Sequence, residues 1–239
     1  MNLIVDHGNT NIKFYLFNND KINNFFLFSI NEINYSLINN LDYENIIYSS
    51  VSNFDKKLVN LFSDKNLIIF DYDNLKIPIV NKYKTKTLGK DRLANAIAAN
   101  SIYFAQNVLI VDFGTAITYD LVTENNEYIG GNISPGVRTR FKALNTFTSN
   151  LPLIEPKETD ILLADNTNDA ILCGVMRGIE FEVQQYIDIL DTKYKKLKII
   201  FTGGDANLFV KKIKNTIFAE PNLVAIGLNV LLNHNLKNT

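Results

Sequence analysis

The chain has 239 residues, with 24 Lys plus Arg against 25 Asp plus Glu and a formal net charge of −1. That balance gives no electrostatic footprint for nucleic acid or an anionic membrane, and a composition of 46% hydrophobic and 21% charged residues excludes wholesale disorder. A single cysteine, Cys173, excludes an intramolecular disulfide framework and a cysteine-built metal site, and two histidines, His7 and His234, argue against a histidine-rich one. Asp6 interrupts the first apolar run and no small-residue cleavage site follows, so no signal peptide is expected. No stretch reaches the roughly 18 apolar residues of a membrane span, and the expected location is the cytoplasm.

In chain order, the first feature is a strand–turn–strand, Ile4-Val5-Asp6-His7-Gly8-Asn9-Thr10 running on through Ile12 to Phe17. Further strands are predicted at 24–29, 46–49 and 67–70, with short helices at 32–41 and 55–62 between them. A polar, Lys-rich segment, 81–90, leads into the Ala-rich run from Asp91 to Ala99, a strong helix signal with Asp91 as its predicted N-cap, ending near Ala105. Then the opening pattern returns. Ile110-Val111-Asp112-Phe113-Gly114-Thr115-Ala116 repeats it at an offset of 106 residues, close to half the chain. After a second strand, 117–122, come Gly130 to Gly136 and a helix over about 137–145. The longest helical pattern spans 167–194, with Ile171, Val175, Ile179, Val183, Tyr186, Ile187 and Leu190 on one side, and Gly174 and Gly178 spaced to admit another backbone. A buried-type strand, 198–201, ends in Thr202-Gly203-Gly204-Asp205-Ala206, and a helix over 223–232 closes the chain. Alternating strands and helices predict an α/β class with mixed sheets, duplicated as two domains, 1–105 and 106–239.

Three glycine-bearing turns each follow a β-type run. Gly lets a main chain approach phosphate oxygens without a Cβ clash, and a carboxylate at a strand end can hold a cation that neutralises them. Lys13, in the strand after the first turn, is within reach of a phosphate. Neither a P-loop nor a G-x-G-x-x-G after a strand is present. Taken singly, Asp6 and Asp112 also read as turn formers, Asp91 and Thr167 as helix caps, Arg92 as a surface residue, Cys173 as core, and the 167–194 stripe as packing.

Paired Asp-x-Gly hairpins with a late Gly-Gly turn resemble the actin, chaperone-ATPase and sugar-kinase superfamily, and within it the chain is similar to type III pantothenate kinase. The matching segments run in family order: Asp6 to Lys13, Gly89-Lys90-Asp91-Arg92, Asp112 to Ala116, Gly130 to Gly136 with Leu151-Pro152, Asn166-Thr167 with Gly174 and Gly178, and Thr202 to Ala206. Where the family carries a proline shortly before Gly-x-Asp-Arg, this chain reads Tyr83-Lys84-Thr85-Lys86-Thr87. The resemblance implies two actin-like domains with ATP in the cleft between them and ATP-dependent phosphorylation of pantothenate, the first step toward coenzyme A. It assigns catalysis to Asp91. It assigns ATP to Asp6, His7, Gly8, Asn9, Thr10, Asn11, Ile12, Lys13, Thr115, Gly203 and Gly204, with His7 at a variable position that is structural or solvent-facing. Substrate falls to Tyr83, Gly89, Lys90, Asp91, Arg92 and Thr167. Asp112 would hold a monovalent cation, K⁺ or NH₄⁺, and Asp6 would meet Mg²⁺ through the phosphates. A homodimer is implied, its substrate pocket bordering the partner subunit, with no nucleic-acid or membrane partner. The alternatives left open are another small-molecule kinase of the superfamily and a non-catalytic regulator that keeps the fold.

Overall fold

The computed structural model describes residues 1–51, 54–85 and 87–237. They form two compact units, one of Met1–Ile102 with the segment from Leu223 onward, the other of Tyr103–Asn222. No described helix is long and apolar enough to cross a membrane.

In the first unit, β1 (Asn2–His7), β2 (Asn11–Asn18) and β3 (Lys21–Ser29) form an antiparallel meander. The β2–β3 hairpin turns through Asn19 at φ 52°, a left-handed conformation that asparagine tolerates. β4 (Asn45–Ser50) and β5 (Asn66–Ile69) add in parallel on the other side, giving the order β3-β2-β1-β4-β5. One face carries Leu3, Val5, Ile12, Phe14, Ile46 and Tyr48 into a core with α1 (Tyr35–Asn39) and α2 (Lys56–Leu61). The helix expected over 32–41 shrinks to little more than a turn because Asn34 accepts from Leu37 N at 3.0 Å and so caps it late. Asp55 caps α2 at Lys57 N and Leu58 N. β6 (Val80–Asn81) and α3 (Lys90–Ile102) complete the first half of the chain.

The other face of this sheet packs against the last helix, α6 (Leu223–Leu236), which also lies on α3. Helix α3 presents Ala94, Ala96, Ala98 and Ala99, all buried, and a Cβ on Gly227 of α6 would overlap the Ala94 carbonyl. The sheet's first register row is held by amides. Asn66 donates to Asn45 (2.9 Å), Asn45 to Asn2 (3.1 Å), and Asn2 to both Asn229 (2.9 Å) and Asn233 (2.8 Å) of α6. The compact units therefore differ from the expected division at 105/106. The closing helix, assigned there to the second half, groups with the first, where Gly227 lies against the Ala94 backbone of α3.

In the second unit, β7 (Val108–Phe113), β8 (Ala116–Val122) and β9 (Glu127–Pro135) repeat the meander, with β10 (Lys198–Thr202) and β11 (Phe218–Ala219) added in parallel beside β7. α4 (Val137–Phe147) and α5 (Thr167–Lys193) cover the face that carries Leu109, Val111, Phe113, Ile117, Tyr119 and Phe201. The predicted stripe of α5 is core: Ile171, Val175, Ile179, Val183 and Ile187 are buried, with Tyr186 and Leu190 packed beside them, and Cys173 is buried too. Its N-cap is Asn166, whose Oδ1 accepts from Asp169 N, and Thr167 is the first helical residue instead. Among the described residues nothing lies within 4 Å of an added Cβ at Gly174 or Gly178, so no described backbone uses them for close approach.

Gly227→Ala is expected to lower unfolding stability in urea by about 1–3 kcal/mol, because the Ala94 backbone cannot yield without moving α3. An unchanged midpoint would mean that α6 docks by another face.

Candidate active site

The two Asp-x-Gly turns occupy equivalent places. Asp6, near the carboxyl end of β1, is paired in register with Lys13 of β2 and Ser49 of β4. Asp112, near the end of β7, is paired with Thr118 of β8 and Thr202 of β10. Directly opposed residues share a sheet face, so each carboxylate stands in a row of three polar side chains. Each turn closes by a Gly amide, Gly8 N to Asn11 O (2.9 Å) and Gly114 N to Ala116 O (3.1 Å), the second turn being one residue shorter. Asn9, Thr10 and Asn11 are exposed, whereas the Ile12 side chain belongs to the core and leaves only its backbone for a ligand.

In the first unit the Asp6 row faces the side of the sheet that α6 covers. Burial raises the Asp6 pKa; Lys13 opposes that shift and the charge of Asp91 adds to it. Lys13 and Asp91 are thus electrostatic neighbours of one carboxylate. Asp91 is exposed and lies in the first turn of α3, not at its N-cap. Gly89 precedes the helix, its carbonyl accepting from Leu93 N at 3.1 Å, and a Cβ there would collide with the Asp91 carboxylate. An acidic group in this turn is favoured by the helix dipole.

Arg92 is buried rather than a surface residue, and its guanidinium lies 5.8 Å from the ring centroid of half-buried Tyr83. The Tyr83 amide donates to Asn81 Oδ1 at 2.9 Å, which holds the chain where the family carries its proline. Lys86 of that segment lies outside the described residues. Lys90 donates to Ser50 O (3.2 Å) between the rings of Phe54 and Phe70, and burial lowers its pKa. Tyr72, which sequence reasoning missed, donates to Leu88 O at 2.7 Å, and burial together with the charge of Asp91 raises its pKa. No local signal marks it, since an aromatic in a polar loop is unremarked by pattern.

His7 is buried rather than solvent-facing. The Tyr48 hydroxyl accepts from Asp55 N (3.0 Å) and shares a hydrogen bond with His7 Nδ1 (2.8 Å). Burial lowers the His7 pKa, and the charge of Asp55 opposes that shift.

In the second unit, Gly203 turns the chain at φ 89°, where a Cβ would overlap the Asp112 carboxylate and the Phe113 backbone. Gly204 is open on its Cβ side. Phe113 stacks on Phe209 (5.0 Å between centroids) and meets Phe201 edge-on (4.9 Å), which pins the Gly-Gly turn to the end of β7. The Thr115 carbonyl accepts from Gly136 N (3.0 Å) and from Thr139 Oγ1 (2.7 Å). Thr118 Oγ1 is buried with no hydrogen-bond partner among the described residues. Thr167 is exposed at the start of α5. Ser49 and Thr118 went unnoticed in the sequence, and Thr202 was read only as part of the Gly-Gly turn, because strand register alone sets them beside a carboxylate.

The model of the family described as Type III pantothenate kinase matches residues 2–189. The Type III pantothenate kinase of Christiangramia forsetii is 50% identical over 149 residues, 62% of this chain and 61% of that protein. That of Porphyromonas gingivalis is 45% identical over 154 residues, 63% of each chain. The matched part therefore spans less than two thirds of these relatives. Among solved structures, a Campylobacter jejuni protein described as belonging to a Baf family of transcriptional activators superposes with a TM-score of 0.66 at 25% identity, covering 98% of this chain and 99% of that one. The Clostridium difficile activator of 2-hydroxyisocaproyl-CoA dehydratase, solved with bound ADPNP, superposes with a TM-score of 0.53 at 12% identity, over 99% of this chain and 96% of that one, a likeness of fold alone.

A carboxyl whose folded pKa is raised destabilises the protein once ionised. That penalty is present above the folded pKa and vanishes as the pH falls below the unfolded value near 3.8. Asp6→Asn keeps the shape and stays neutral, so it is expected to raise the melting temperature at pH 7 and to lose this advantage on acidification toward pH 4. A variant less stable than wild type at pH 7 would show that Lys13 outweighs burial.

Proposed function

Because the chain belongs to the type III pantothenate kinase family, we propose that it transfers the γ-phosphoryl group of ATP to the primary hydroxyl of pantothenate, the entry step to coenzyme A. The observation that most supports this reading is the electrostatic neighbourhood shared by Asp6, Lys13 and Asp91. Phosphoryl transfer needs a carboxylate for the attacking hydroxyl beside a site for cation-neutralised phosphates, and little covalent chemistry from the protein itself. Asp91 orients the hydroxyl and accepts its proton as oxygen attacks the γ-phosphorus in line, and the bond to the ADP oxygen breaks. Lys13 and the amides of the Gly8 and Gly114 turns stabilise the spreading negative charge. Arg92, with Tyr83 against its guanidinium, and Thr167 bind the pantothenate end, and Gly203 and Gly204 the adenosine end. Asp6 would hold the Mg²⁺ that accompanies the nucleotide, which would supply charge neutralisation for the phosphates.

The residues around Asp112 fit a monovalent cation. In the first row Lys13 supplies a covalent ammonium opposite Asp6; in the second, that strand position is Thr118, an uncharged hydroxyl left without a partner among the described residues. K⁺ or NH₄⁺ would add the positive charge there, among oxygen ligands that suit it. A homodimer and a cytoplasmic location belong to the same reading. Gly174, Gly178, Phe181 and Ile189 recur at helical spacing on α5, and Phe181 and Ile189 are 55% and 57% exposed.

The direct test is ATP turnover with and without pantothenate, beside sugars and short hydroxy acids. Turnover on one of those instead would favour another kinase, and none at all a regulator. Asp91→Asn is expected to fold and bind ATP while kcat drops roughly 10²-fold or more, as loss of a general base does. Since Gly89 occupies the cap position, a wild-type kcat in this variant would remove Asp91 from the chemistry.

Turnover in Na⁺ buffer with Mg²⁺ is expected to fall well below that in K⁺. Thr118→Lys, which builds the first unit's row into the second, is expected to narrow that gap. Equal rates of the wild-type enzyme in the two buffers would overturn the cation assignment.

A further inference from the structure

Four elements of the second unit meet at an ion pair that the mechanism above does not use. Arg140 on α4 donates from Nη2 to Glu182 Oε2 of α5 (2.6 Å) and to Ser134 Oγ of β9 (2.9 Å), and from Nε to the Pro135 carbonyl (2.8 Å). Glu182 Oε1 accepts from the Tyr119 hydroxyl of β8 at 2.8 Å, and the Tyr119 ring stacks on Tyr186 with centroids 4.1 Å apart. The two charged side chains are only 20% and 25% exposed. Hydrogen bonds to Glu182 from Arg140, Tyr119 and Ser134 hold its pKa below the ordinary value against the opposing effect of burial. A planar guanidinium can serve three acceptors in fixed directions, which an ammonium on a flexible stem cannot.

What this fork fixes is the junction between β9 and α4, and the next residues of that junction hold the second Asp-x-Gly turn. Gly136 N and Thr139 Oγ1 both donate to the Thr115 carbonyl, and a Cβ on Gly136 would overlap the carbonyls of Gly114 and Thr115. The contact is backbone against backbone, so a shift of α4 passes to Thr115 without slack. We propose that Arg140 and Glu182 are a positioning pair for nucleotide binding: they set the β9–α4 junction and, through Gly136 and Thr139, the Thr115 turn. The proposal rests on the reading of that turn as the ATP side of a kinase site. A pair that merely stabilised the fold would touch α4 and α5 alike but leave the affinity of folded protein for nucleotide unchanged.

The test uses Arg140→Lys and Glu182→Gln in the full chain, with a non-hydrolysable ATP analogue as probe, and KM for ATP and for pantothenate measured separately below each variant's melting temperature. The expected result is analogue affinity reduced roughly tenfold and KM for ATP raised to match, because small misplacements of binding groups are expensive, with KM for pantothenate within about twofold of wild type. Wild-type affinity in folded variants that melt earlier would overturn the proposal and leave a structural brace. Glu182→Gln retains an acceptor for Tyr119 and decides the matter if Arg140→Lys does not fold. Thr139→Val, which removes one donor to Thr115 without touching the pair, should shift analogue affinity in the same direction, and wild-type affinity there also counts against the proposal. Failure of the wild-type protein itself to bind the analogue would instead overturn the kinase reading.

Discussion

A carboxylate near the end of a strand flanked on both sides by other strands can take partners from only two places: the neighbouring positions of its register row, and whatever lies beyond the strand ends. Asp6 and Asp112 are both in this position, and the chemistry of each unit follows from how its row is filled. Lys13 gives the first row a cation of its own, bound to the chain and present in every state of the protein. Thr118 gives the second a hydroxyl, which can ligate a cation but cannot replace one. Over five strands the two sheets are alike in order and direction, and the rows differ in their side chains, Lys13 against Thr118 and Ser49 against Thr202. The same strand arrangement occurs twice, and what most separates the two rows is an amine side chain in the first and a hydroxyl in the second.

The Asp6 row also depends on how closely helices can approach the sheet behind it. Helix α3 buries every residue from Arg92 to Asn100, four of the nine being alanine, and α6 meets it through Gly227. Small residues let the two backbones pack tightly against one another and, through α6, against β1 and β4. That packing, with the amide row from Asn66 through Asn45 and Asn2 to Asn229 at the opposite end of the strands, fixes where α3 begins. Its first turn then brings Asp91 within electrostatic reach of Asp6. The alanines that read locally as helix formers are, in the folded chain, a spacing device.

Strands and turns were legible because their signals are local. β-branched runs ending in Asp-x-Gly predict strand–turn–strand wherever they occur, and the 3.6-residue stripe from Ile171 to Ile187 predicts a helix with a buried side. Cap positions were less legible: Asp91 and Thr167 are good cap residues by type, but Gly89 and Asn166 take those places, because a cap is chosen by where the helix axis starts and the axis is set by packing. Arg92 reads as a surface cation and is buried under Tyr83, a contact across a loop whose path the sequence does not spell out. The return of α6 to the first unit, and the pairing of Arg140 with Glu182 across 42 residues, are tertiary facts with no local trace.

Electrostatics separates the two kinds of carboxylate in this protein. Asp55 and Glu182 receive several hydrogen-bond donors each, and their pKa values fall despite burial; they cap a helix and tie helices to a sheet. Asp6 and Asp205 move the other way, raised chiefly by burial that Lys13 and Arg138 only partly offset. A fold evolved for stability alone would neutralise or replace such groups, since an under-compensated buried charge favours the unfolded state. Both belong to glycine-bearing turns at strand ends, where the compensation withheld by the protein can be supplied by a ligand with its cations. Asp205 had been read only as part of the Gly-Gly turn. Its pKa is raised as that of Asp6 is, with burial as the main cause and one neighbouring cation, Arg138 here and Lys13 there, opposing it.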